Sequence, residues 1–157
     1  MTEYRIEREV VVEAPVDVVW RTVTEPDQIT QWFADRVDLE ATPGGRGTFV
    51  FDHPGGASNT YPLVVERVEA PSLFTFRWGP SEGEEPSPGN SLLVEFRLDE
   101  DGHDRTRLRV VETGLERLGW ADDDMRRYAE EHVDGWTTHL DRLVHLLADG
   151  VVDPPRG

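Results

Sequence analysis

The sequence predicts an α+β fold in which a curled antiparallel sheet closes around one long terminal helix. Three observations lead there. Apolar residues follow a helical stripe through Asp122–Gly150, a two-residue period runs through most of 37–113, and two short proline-opened helical segments follow the first strand.

Residues 4–12 alternate, with Ile6, Val10 and Val12 on one face and Arg5, Glu7 and Glu9 on the other, so a strand with one wet face is expected. Ala14-Pro15 ends it. Pro15 suits a first helical turn, and Val16, Val19, Trp20 and Val23 recur at helical spacing, which predicts a short amphipathic helix over 15–23. Thr24 and Asp27 resemble a capping box, with Asp in place of Glu, opening a second short helix that should run to about Phe33. The period then becomes two. Residues 37–39 and 47–51 read as strands around a Pro43-Gly44-Gly45 turn, with Phe49 and Phe51 on one face. Residues 61–69 read as a strand of ambiguous parity, because Leu63, Val64, Val65 and Val68 do not alternate cleanly. Leu73–Trp78 carries Phe74, Phe76 and Trp78 on one face; 79–90 is loop; 92–99 points Leu92, Val94, Phe96 and Leu98 inward. Thr106–Thr113 puts Thr106, Leu108, Val110 and Glu112 on one face.

The last helix is marked at both ends. Asp122, Asp123 and Asp124 suit its positive end, and Gly150 suits its close. Its stripe runs through Met125, Tyr128, Ala129, Val133, Trp136, Leu140, Leu143, Val144 and Leu147, opposite a solvated face that includes Arg126, Glu131, Asp134 and Asp141. A sheet with one dry face and a helix with one dry stripe must bury them against each other, and the inner aromatics leave room for a pocket where sheet and helix diverge. A single domain over 1–150 with a tail at 151–157 is expected.

Composition narrows the function. The chain of 157 residues has a formal net charge of −16 and no lysine, so its field repels nucleic-acid phosphates and anionic lipid surfaces. A G+C-rich coding bias is the leading explanation of the missing lysine, and adaptation to high salt is the alternative. Without cysteine there is no disulfide, thiolate metal site or cysteine nucleophile. No apolar leader or membrane-length stretch is present, which makes the cytoplasm the expected compartment.

The run from Ala14-Pro15-Val16 to Trp20, then Thr24-Glu25-Pro26 to Trp32-Phe33, resembles the amino-terminal signature of homologues of the heat-shock-protein-90 ATPase activator. Gly44-Gly45 before Phe49, Glu69-Ala70-Pro71, 106–114 and Gly135-Trp136 are similar to the family's later landmarks. The resemblance implies membership of the START and birch-pollen-allergen superfamily, with a helix-grip fold around an internal cavity. Members of that family include ligand carriers, cyclases and cochaperones, so the resemblance leaves function open.

Glu112 is the most informative polar residue. It shares the inward face of its strand, so it is expected to be paired, protonated or facing a wet cavity, unless the sheet end frays into solvent. His132 and His139 lie on nearly one side of the last helix, but their spacing is not that of a metal pair and no third ligand is evident, so no metal or other cofactor is expected. His132 could carry a proton at the pocket. No nucleophile motif occurs, and no dedicated catalytic residue is assigned. The carboxylate runs 82–85 and 122–124 lack the pattern of a calcium loop. The expected ligand-binding residues are Trp32, Phe49, Phe51, Tyr61, Phe76, Trp78, Glu112, His132 and Trp136. The leading expectation is a binder of a small apolar, lipid-like or polyketide-like ligand, with a second copy of the chain as a candidate partner. A cyclase or hydrolase using Glu112 and His132, and a cochaperone-type interaction module, are the alternatives.

Overall fold

The computed structural model describes residues 5–79, 86–87 and 89–150. Tyr4, the carboxylate run 82–85 and the tail 151–157 lie outside them. The strands are β1 (Ile6–Val12), β2 (Arg36–Leu39), β3 (Arg46–Asp52), β4 (Ser58–Glu69), β5 (Leu73–Trp78), β6 (Leu92–Glu100) and β7 (Thr106–Thr113). They form a seven-stranded sheet in the order β1-β7-β6-β5-β4-β3-β2, with every pair antiparallel. Helices α1 (Val16–Thr24) and α2 (Pro26–Ile29) span the connection from β1 to β2, and α3 (Asp122–Gly150) follows β7 through a short 3₁₀ turn at Leu115–Leu118. The chain has the helix-grip fold. Among the described residues no helix is long and apolar enough to cross a membrane.

Strand parity builds the concave face. Cross-strand partners place Tyr61 beside Phe49, Leu63 beside Trp78, Val65 beside Phe76, Phe74 beside Phe96, and Val94 beside Glu112, which also neighbours Ile6. The ambiguous parity of β4 has a structural cause. The register against β5 shifts between Val65 and Arg67, which leaves Glu66 and Arg67 exposed and returns Val68 to the inner face beside Phe74. Against this surface α3 buries Trp136, Leu140, Leu143 and Leu147, and Arg8 Nε of β1 donates to Thr137 Oγ1 at 3.0 Å.

The capping box is absent. Glu25 is the N-cap of α2 and makes no side-chain cap bond, while Thr24 is turned back into α1, where its hydroxyl donates to the Trp20 carbonyl at 2.7 Å. Pro26 opens α2, which ends at Ile29 rather than Phe33; turns carry the chain onward. Those turns set Trp32 and Phe33 into the core. Trp32 Nε1 donates to the Thr22 carbonyl at 2.9 Å, tying the segment to α1.

Candidate functional site

Glu112 is fully buried, so its oxygens must be satisfied from within the protein. Three N–H groups converge on it from two elements. Trp78 Nε1 of β5 donates to Oε2 at 2.9 Å, Trp136 Nε1 of α3 donates to Oε1 at 3.0 Å, and His132 Nδ1, one helical turn earlier, lies 2.8 Å from Oε1. Indole nitrogens only donate, and a carboxylate has acceptor sites for all three. With Glu112 accepting, the Nδ1 edge of the ring carries a proton toward the carboxylate, and Nε2 lies on the opposite edge. This cluster pins the middle of α3 to the sheet, and it excludes the solvent-exposed reading of Glu112.

Above the cluster, α3 diverges from β3, β4 and β5 and leaves a cavity of about 540 Å³. Its walls are Phe33, Phe51, Tyr61, Trp78, Trp120, Tyr128 and Trp136, with His53, His132, His139, Asn59 and Glu131 as polar members. Phe33 is the hub: it stacks on Trp136 at 5.3 Å and 3°, and meets Phe51 edge-on at 5.3 Å. His132 lies against Tyr128, ring centroids 3.8 Å apart and 26° from parallel. The cavity shares walls with two adjoining recesses, one past Trp120 and Tyr128 and one past His139 toward Arg142. Gly135 faces the space, and a Cβ there would meet nothing within 4 Å.

Of the residues singled out from sequence, Phe51, Tyr61, Trp78, His132 and Trp136 border this cavity. Glu112 lies behind its wall and reaches it only through His132, Trp78 and Trp136. Trp32, Phe49 and Phe76 do not line it. They belong to the packed core: Phe76 and Phe49, 5.5 Å apart, sit deeper on the inner face of the sheet, while Trp32, from the turns after α2, packs against Phe96 at 6.2 Å and borders only the recess toward Arg142. Phe33, His53, Asn59, Tyr128, Gly135 and His139 are lining residues outside the expected set. For Gly135 a signal existed: a glycine inside a long helix is unfavourable, so its position calls for a reason in space or packing.

Burial first, and the Glu112 charge second, hold the Tyr128 phenol far above its usual range, so it stays a neutral hydroxyl. His139 is shifted the other way. Burial lowers its pKa from the usual 6.5, the Trp32 carbonyl at 3.4 Å opposes that shift, and the Arg142 charge reinforces it. Neutral in the fold, His139 gains its proton more readily when unfolded, so stability falls as pH drops through the unfolded value. His139→Gln should therefore lose less melting temperature than the parent between about pH 7 and about pH 5. Equal losses in the two proteins would remove His139 from the pH response. Among the described residues no group of three His, Asp or Glu side chains is placed to hold a metal ion.

The family model described as Activator of Hsp90 ATPase homolog 1-like protein matches residues 13–148. No curated protein matches the chain. Among solved structures, DynU16 from the dynemicin biosynthetic locus is 25% identical with a TM-score of 0.72, and the match covers 94% of this chain but 48% of DynU16. The chain thus spans about half the length of that relative. Protein NE0264 from Nitrosomonas europaea is 19% identical with a TM-score of 0.75, covering 96% of this chain and 97% of its own. The Aha1 dimer from Colwellia psychrerythraea is 16% identical with a TM-score of 0.67, covering 94% and 96%. The last two likenesses are of fold.

Proposed function

We propose that this chain, which belongs to the family of activator of Hsp90 ATPase homologue 1-like proteins, binds a planar, largely apolar small molecule in the aromatic-walled cavity beneath α3. One observation carries the reading. A cavity of about 540 Å³, in the size range of small-molecule sites, is bordered by seven aromatic side chains and a few polar groups, His132 among them. A core built only for stability would close such a space, and a helical glycine facing it costs about 1 kcal/mol relative to alanine. Aromatic walls offer flat faces to a flat ligand, and the polar members orient it. The origin of DynU16 in a biosynthetic locus is in keeping with ligand handling.

Gly135 supplies the test, because filling the space from there leaves the Glu112 cluster intact. In the parent, 7-methoxycoumarin should change tryptophan emission and raise the melting temperature by linkage. Gly135→Phe should lose both responses while unfolding cooperatively. Gly135→Ala should be stabilised by up to about 1 kcal/mol. A Gly135→Phe protein that binds the probe as tightly as the parent would place the ligand elsewhere.

A further inference from the structure

His132 is held in an unusual way for a residue at a cavity wall. Its Nδ1 lies 2.8 Å from the Oε1 of Glu112, a fully buried carboxylate, and its ring lies on Tyr128 at 3.8 Å with Trp78 edge-on at 6.2 Å. No hydrogen bond from the described residues reaches Nε2, on the far edge of the ring, and His132 borders the cavity. The neutral imidazole with its proton on Nδ1 presents the Nε2 lone pair among aromatic faces, backed by the Glu112 carboxylate. A positive charge arriving on this ring would be stabilised by the Glu112 carboxylate and by the Tyr128 π-face.

Resting on the reading of the cavity as a ligand site, we infer that it takes hydroxyarenes and binds them as their anions, with the hydroxyl proton moved to His132. The ligand O–H bond breaks and its electron pair stays on the oxygen. The proton forms the Nε2–H bond, and His132 becomes an imidazolium held between Glu112 and the new aryloxide. The chemistry selects this class. An aliphatic hydroxyl is too weak an acid to surrender its proton to imidazole. An ammonium would have to reach Glu112, whose oxygens are already engaged by three N–H groups. The ionisable groups around the site are Glu112 from β7, Tyr61 from β4, His53 from the turn after β3, and Tyr128, Glu131 and His139 from α3. Tyr128 is kept neutral by burial and by Glu112, so it does not compete for the proton.

The test compares 7-hydroxycoumarin, whose anion absorbs at longer wavelength than its neutral form, with 7-methoxycoumarin, which has no proton to give. Both are titrated at a pH near the free dye's pKa, where a tenfold rise in the ratio leaves about nine-tenths of the bound dye as anion. Both should bind. The ratio of anion to neutral form should rise about tenfold in bound 7-hydroxycoumarin over free dye, the size of a charge-assisted hydrogen bond's advantage. Calorimetry in two buffers of different ionisation enthalpy should show essentially no proton release, since the protein keeps the proton. His132→Gln retains an N–H donor for Glu112 but cannot take the proton, and it should bind the dye in its neutral form. Neutral dye in the parent, an anion band that survives His132→Gln, or a proton released to buffer would each overturn the inference while binding of the methoxy analogue still stands. Binding of neither coumarin would overturn the cavity reading and this inference together. Should His132→Gln fail to fold, the absorption band and the proton count of the parent decide the matter.

Discussion

Leu140→Asp should abolish cooperative unfolding. Leu140 lies on the buried stripe of α3 between Trp136 and Leu143, almost wholly shielded from solvent. The substitution removes a packed side chain, worth about 2–5 kcal/mol in comparable truncations. It also places a carboxylate where no N–H waits for it, a further cost of several kcal/mol. Together these match the whole stability of an ordinary domain, about 5–15 kcal/mol. Glu131→Ala, on the exposed face of the same helix, should stay within about 0.5 kcal/mol of the parent. Thermal and urea unfolding followed by circular dichroism would read both. A cooperative Leu140→Asp transition near the parent midpoint would mean that α3 grips the sheet through a different face.

Glu112→Leu should be the most damaging change of similar volume in the site. Removing the carboxylate strands the Trp78 and Trp136 indole N–H groups inside the protein and leaves His132 without its anchor. Each stranded indole donor costs about 1–3 kcal/mol, so a loss of about 2–6 kcal/mol is expected. Replacing a whole buried polar set by apolar groups can be neutral, but here only one member is removed. Glu112→Gln should fall between: its carbonyl can serve Trp136 and His132, while its NH₂ meets the Trp78 N–H donor to donor. Chemical denaturation of the two variants gives the order. A Glu112→Leu protein as stable as the parent would show that the three donors find other partners at no cost.

The fold was legible because most strands alternate between a buried and a more exposed face and α3 carries one dry stripe. Leu73–Trp78, Thr106–Thr113 and Asp122–Gly150 could be bounded from period together with the breaking and capping residues at their ends. The β4 strand resisted because its bulge puts Glu66 and Arg67 in succession on the outside, breaking the period that parity depends on. Thr24 misled because a threonine at a helix boundary can serve either helix, and here it bonds back into α1.

The site was legible in part. Parity placed Glu112 inward and Trp78 and Phe76 on one face, but parity reports face and not depth. Phe76 and Phe49 share that face and lie below the layer formed by Phe33, which comes from an irregular turn with no period to read. The convergence of Trp78, Trp136 and His132 on one carboxylate depends on how α3 crosses the sheet, and no local pattern encodes that crossing. Gly135 was the readable sign of empty space.

The most direct test of the central claim is a titration of ¹⁵N-labelled protein with 7-methoxycoumarin, following backbone amides and the indole N–H signals of Trp78 and Trp136. Saturable shifts are expected at these two indoles and at the amides of Phe33, Phe51, Tyr61, His132 and Gly135, with Trp32 and Leu140 little changed. Shifts confined to the outer face of the sheet, or none at saturating probe, would contradict it.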